Sequence, residues 1–173
     1  MTTPRVRPAT PADAAWIEAL VEEEWGGPLL IADGRTFDAR VLPGLIAGER
    51  EGLALYEAAG AGVLAELVLL HALALGQGLG TALVEALVAL LARQGARELW
   101  LTTTNDNLEA LRFYQRRGFR MMEVRPGAIE SARRCVRVVV ICAARPSGRR
   151  FRWWAWAGSS RGRRRRRCRR RAG

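Results

Sequence analysis

Lysine is absent from all 173 residues, so each of the 28 basic side chains is an arginine. That excludes a Walker-type phosphate loop, whose lysine has no counterpart here. Histidine occurs once, at His71, and the three cysteines (Cys135, Cys142 and Cys168) fall in the last 39 residues without a CxxC spacing. A structural zinc site or a disulfide framework is not expected from such a set, and no metal is expected. Every apolar run is interrupted by charge or glycine before it reaches membrane-spanning length, and the N-terminus lacks the basic-then-apolar order of a signal peptide. The expectation is therefore a cytoplasmic chain with no membrane span. Acidic residues are missing from one stretch only. Residues 131–173 carry 16 arginines and no acid, a net +16, whereas residues 1–130 carry 17 acids against 12 arginines, a net −5. The overall +11 thus hides a mildly acidic body and a strongly basic tail.

What is present suits one domain with a sizeable core, since 49% of the residues are hydrophobic. Residues 3–9 read as a short strand. Thr10-Pro11-Ala12-Asp13 reads as a helix start, with a hydroxyl cap, proline at the first helical position and an acid in the first turn. Trp16, Ile17, Leu20 and Val21 then recur at helical spacing as far as Trp25, and Gly26-Gly27-Pro28 stops the helix. Residues 29–43 carry no clear pattern. Strands are expected at 45–47, 53–57 and 63–73. An apolar helix follows at 81–92, with Leu83, Leu87, Leu90 and Leu91 on one face, and then a strand at 98–103. A helix at 108–117 ends at Gly118, and a strand covers 119–124. Antiparallel strands followed by alternating strands and helices give a mixed α/β sheet flanked by helices.

Two segments carry chemistry. Gly76-Gln77-Gly78-Leu79-Gly80-Thr81 joins a buried strand to a buried helix. Glycine at every second position leaves backbone amides free to face an anion at the positive end of the helix dipole. The dinucleotide fingerprint GxGxxG does not fit, because Thr81 and Leu83 occupy the positions of its third glycine. The second segment is Asn107-Leu-Glu-Ala-Leu-Arg-Phe-Tyr114-Gln-Arg-Arg-Gly118-Phe119, which can bring a phenol beside whatever the phosphate belongs to.

Together these segments resemble motifs A and B of the GNAT N-acetyltransferases over roughly residues 3–130, most sharply over 63–124. The resemblance implies a GNAT-like fold and acetyl-CoA as co-substrate. It implies transfer of an acetyl group to a primary amine, on a small molecule or a peptide, by direct attack in a ternary complex. Gly78 and Gly80 match motif A, but Leu75 stands where the family often has arginine or glutamine. The amides of Gln77, Gly78, Leu79, Gly80 and Thr81 are then expected to hold the pyrophosphate. Main-chain groups of His71 and Ala72 would pair with the pantetheine, and Asn107 would lie beside it and help to hold the helix start. Asp106 is the alternative helix cap. Tyr114 would protonate the departing thiolate. Glu66 is the candidate base. Regular alternation puts it on one side with Val68 and Leu70 and puts His71 on the other, so Glu66 and His71 should not form a dyad. Many members of the family dimerise, so a homodimer is a further expectation.

The domain expected from this reading spans 1–130, with an irregular last strand in 131–145 (Arg137–Ile141 being the strand candidate) and a disordered Arg/Trp-rich tail over 146–173. The family normally completes its sheet after residue 124, so the last strand is left open. Three readings of the tail stand side by side. It is a polyanion-binding extension in which arginines meet phosphates and Phe151, Trp153, Trp154 and Trp156 stack, a membrane-surface segment, or an out-of-frame end. The first would suit a basic nucleic-acid-binding protein on an inactive scaffold, and the last a catalytically dead product.

Overall fold

Asp13 organises the start of the first helix. In the computed structural model, which describes residues 4–32, 35–59, 64–74, 76–125 and 138–143, the first strand is β1 (Val6–Pro8), and a 3-10 turn (Pro11–Asp13) leads into α1 (Ala14–Trp25). The buried Asp13 carboxylate accepts two bonds from Arg7 at 2.7 and 2.8 Å, one from the Thr10 amide at 3.0 Å, and others from Arg50. These donors hold its pKa far below the usual carboxylate range, Arg7 first among them. Ile17, Leu20 and Val21 turn inward, and Gly26 ends the helix as its amide donates to the Glu22 carbonyl.

Residues 29–43, which gave no pattern in sequence, form an antiparallel ladder of β2 (Leu29–Ala32) and β3 (Arg35–Asp38). Each strand has four residues and buries one large side chain, Leu30 or Phe37, which is too little alternation to show in sequence.

The main sheet continues with β4 (Gly44–Ala47), β5 (Gly52–Ala59), β6 (Leu64–Ala72), β7 (Glu98–Thr104), β8 (Phe119–Arg125) and β9 (Val138–Ala143). Its order is β1-β4-β5-β6-β7-β9-β8, and among the described strands only β6 and β7 run parallel. The two remaining helices are α2 (Leu79–Arg93) and α3 (Leu108–Gln115). β9 lies within the segment where the last strand was expected. It slots between β7 and β8, pairing Val138 with Thr104 on one side and Arg125 on the other. The loss of acidic residues at 131 therefore precedes β9, the last strand among the described residues. Leu75, residues 131–137 and the tail beyond 143 lie outside the described residues.

The sheet has a core on each face. On one face Leu83, Leu87 and Leu91 of α2 pack with Tyr114 of α3 over Ala54, Tyr56, Ala65 and Leu67. On the other, Ile17, Leu20 and Val21 of α1 pack with Leu30 and Phe37 over Leu53, Leu55 and Leu69. Leu87 is fully buried, and its truncation to alanine would cost about 2–5 kcal/mol. No described helix is long and apolar enough to cross a membrane.

Candidate functional site

The glycine turn has the geometry that its composition predicts. Gly76 and Gly78 have φ of +79° and +78°, a conformation that side-chain-bearing residues rarely adopt, and α2 begins at the next residue. The first bond of the helix runs from the Ala82 amide to the Gly78 carbonyl at 2.9 Å. The amides of Leu79, Gly80 and Thr81 therefore precede the helical ladder, and the helix dipole adds about half a positive charge at the same place. At Gly80, which is helical, the constraint is space, since a Cβ there would stand 3.2 Å from Phe113 Cζ.

Arg117, which the sequence reading assigned no role, completes this end of the site. Its guanidinium lies over the Phe113 ring, 3.5 Å from the centroid. It donates to the Phe113 carbonyl at 2.7 Å and to the Thr81 hydroxyl. Among the described residues it makes no ion pair, although it sits at the positive end of α2. Burial pulls its pKa down, opposed by Glu85. A half-buried cation beside a helix N-terminus is electrostatically unfavourable until an anion joins it.

From the turn, an opening runs through the sheet. β6 and β7 pair from Leu64–Glu98 to Leu67–Leu101 and no further, although both strands continue. The pairing ends where β6 carries an extra residue. Leu55 of β5 opposes Leu69 while Tyr56 opposes Leu67, which leaves Val68 as a bulge. Beyond the bulge the alternation of faces resets. Leu70 and Ala72 join Leu67 on the α2–α3 face, whereas Val68 and Leu69 lie on the α1 face. This corrects the expectation that Glu66, Val68 and Leu70 share one side. The Leu73 amide donates to the Glu51 carbonyl, so by alternation His71 directs its main-chain groups to β5. Leu70 and Ala72 present theirs to the opened edge. Of the two main-chain contacts expected from sequence, Ala72 faces the opening and His71 does not.

α3 closes the opening on one side. Asn107 caps the helix, its side-chain oxygen accepting the Ala110 amide at 3.1 Å, so the alternative cap Asp106 is not used. Tyr114 stands where two cavities meet. One, of about 430 Å³, is bordered by Gly76, Gly78, Gly80, Thr81 and Arg117. The other, of about 500 Å³, reaches Trp25 and β2. Leu70, Ala110 and Tyr114 border both. The Tyr114 ring is fixed edge-on to Phe113 and tilted against Phe119. Burial pushes its hydroxyl pKa well above the ordinary value of 10.0, so the phenol keeps its proton through neutral and alkaline pH.

Glu66 is buried at 2% exposure and directly opposes Glu57 across the β5–β6 ladder. Arg35 of β3 bridges the pair, donating to Glu66 at 3.1 Å and to Glu57. Glu66 does not border either cavity, but its neighbour Leu67 does. His71 packs edge-on against Trp25, on the α1 face. The bulge thus places Glu66 and His71 on the same face, contrary to the parity argument. Five residues of strand still keep them roughly 15 Å apart, so they form no dyad, for a different reason. Among the described residues no group of three or more histidines, cysteines and acids could hold a metal.

A mixed sheet split between two parallel strands, with an amide-lined turn at one end of the split and a buried phenol at its centre, has the shape and the donors that suit an extended phosphate-bearing ligand. Comparison with known proteins supplies the class. Residues 41–119 match the profile of the Acetyltransferase (GNAT) family. YdhI of Bacillus subtilis (strain 168), itself uncharacterized, is 33% identical over 116 residues, covering 65% of this chain and 71% of that protein. The fold is shared with a GCN5-related N-acetyltransferase from Kribbella flavida (TM-score 0.65, 21% identity, 82% of this chain and 98% of that one). It is also shared with a GNAT family acetyltransferase from Elizabethkingia anophelis with acetyl-CoA bound (TM-score 0.60, 15% identity, 83% and 99%). This chain belongs to the GNAT acetyltransferase family.

Proposed function

We propose that the protein transfers an acetyl group from acetyl-CoA to a primary amine by direct attack within a ternary complex. The observation that carries this reading is the position of Tyr114, a protonated phenol at the junction of one cavity that ends in free amides and another that opens on the opposite face of the sheet. The residues fit the coenzyme. The amides of Gln77, Gly78, Leu79, Gly80 and Thr81 suit a pyrophosphate, and Arg117 offers the cation that Leu75 does not. Leu70 and Ala72 offer main-chain groups to an extended amide-bearing arm, with Asn107 alongside.

Acetyl-CoA, when bound, supplies an activated thioester carbonyl. Tyr114 donates its proton to the sulfur as the carbon–sulfur bond breaks, which makes the thiolate a better leaving group. Glu66 takes the proton of the incoming ammonium through water, with Arg35 holding the carboxylate in place. No covalent enzyme intermediate is needed, because the amine bonds to the carbonyl carbon directly.

The test is calorimetric titration of acetyl-CoA into nuclease-treated full-length protein at elevated salt, which screens the arginine-rich tail, alongside Gly80→Glu. We expect saturable one-site binding in the parent and none in the variant, whose side chain would displace Phe113. Equal binding by both proteins would refute the assignment of the turn.

A further inference from the structure

The side of the opening away from α2 and α3 has an unusual lining. Trp25, Leu29 and Ile31 are 46, 59 and 67% exposed, and all three border the cavity of about 500 Å³ that Tyr114 also borders. Large apolar side chains exposed singly need no explanation, but three gathered at the mouth of a cavity mark a binding surface. Val68 and Leu69, at the bulge, continue this wall inward, and none of the described residues bordering the cavity is charged. Glu66, next to the cavity residue Leu67, and its cross-strand neighbour Glu57 both hold Arg35 of the β2–β3 ladder. Polar atoms occur on the other wall, where Thr102 lines the cavity and its buried hydroxyl has no hydrogen-bond partner among the described residues.

From this wall we infer the class of acceptor: a primary amine whose body is apolar, an alkylamine or arylalkylamine with no second charge. The inference rests on the function proposed above. The coenzyme approaches Tyr114 from the glycine turn on the α2–α3 face, so the acceptor approaches from the α1 face, past Trp25, Leu29 and Ile31. A single reacting nitrogen loses its charge on deprotonation and can enter such a wall. A second ammonium, as in a polyamine or a free lysine, would be stripped of water in a cavity whose described lining residues include no carboxylate. The Thr102 hydroxyl is placed to hydrogen-bond a small polar group near the amine.

The experiment measures thiol release from acetyl-CoA by the full-length protein with n-propyl-, n-butyl-, n-pentyl- and n-hexylamine, phenethylamine and spermidine, at equal concentrations of free base. Each added methylene should raise kcat/KM about 3- to 4-fold, with phenethylamine at least about 10-fold above spermidine. Ile31→Glu, an exposed position where folding should be unaffected, should abolish the chain-length dependence through KM while leaving the calorimetric affinity for acetyl-CoA unchanged. A flat series, or spermidine as the better substrate, with acetyl-CoA bound normally, would overturn the acceptor class and leave the acetyltransferase reading intact. Failure of the parent to bind acetyl-CoA would overturn both.

Discussion

Replacing Tyr114 by phenylalanine isolates one hydroxyl. The ring contacts with Phe113 (5.1 Å between centroids) and Phe119 (5.3 Å) would survive the change. Burial raises the hydroxyl pKa and the Arg117 charge opposes it, and among the described residues no hydrogen bond to this hydroxyl occurs. Its loss should therefore alter stability by less than about 1 kcal/mol. If Tyr114 protonates the leaving thiolate, the chemical step should slow by about 10²-fold or more, or about 3 kcal/mol in the barrier. Single-turnover thiol release measures that step, and calorimetry should return an unchanged affinity for acetyl-CoA. A pH profile adds a second check. Burial raises the tyrosine pKa, so the protonated donor persists across the ordinary titration range near 10.0, and the parent rate should show no descending limb there from this group. Linkage has the same sign. The folded state keeps the proton after the unfolded chain has lost it, so any stability that follows from this shift is present below pH 10 and declines above it. A variant that keeps a third or more of the parent single-turnover rate would refute the role of Tyr114, whatever its steady-state behaviour.

Arg117→Leu keeps the packing on Phe113 but removes the charge beside Thr81. It should weaken acetyl-CoA binding by about 10-fold at moderate salt and less at high salt, as titrations at two ionic strengths would show; equal affinity to the parent would remove Arg117 from the phosphate site. Asp13→Asn should lower the thermal midpoint at neutral pH, because the folded carboxylate has a depressed pKa. Stability from such a group is present above the unfolded value of about 3.8 and is lost as pH falls towards the folded pKa, so the gap between the two proteins should narrow in melts below that pH. Deletion of Val68 should leave Leu67 and Leu69 on their present faces and remove only the extra residue. The fold should then survive with β6 and β7 paired beyond Leu67, and acetyl-CoA binding should be lost; retained binding in the folded variant would show that the bulge does not make the opening.

These outcomes separate what local sequence can encode from what only the assembled sheet can. The glycine turn and the α3 cap were legible because their causes are local. Two glycines at positive φ precede a helix, and Asn107 stands three residues before the amide that it caps. Helix α2 was legible because Leu83, Leu87 and Leu91 repeat at the helical period, although its start lies two residues earlier than the pattern suggests. The two short strands were not legible, because each buries only one large side chain. Arg117 and Thr81 are 36 residues apart and Arg35 and Glu66 are 31 apart, so neither pair leaves a mark in any window of sequence.

The bulge at Val68 is the most consequential of the illegible features. Leu64-Ala-Glu-Leu-Val-Leu-Leu-His-Ala72 is apolar on both faces except at Glu66 and His71, as a strand covered on both sides must be. A sequence without alternation carries no parity to violate, so an extra residue costs nothing in pattern. Uniform apolarity is what lets Leu69 serve one core and Leu70 the other across the irregularity. The strand could not have been both easy to read and able to reset its faces at its midpoint. Reading Glu66, Val68 and Leu70 onto one side failed for the same reason that the sheet can open.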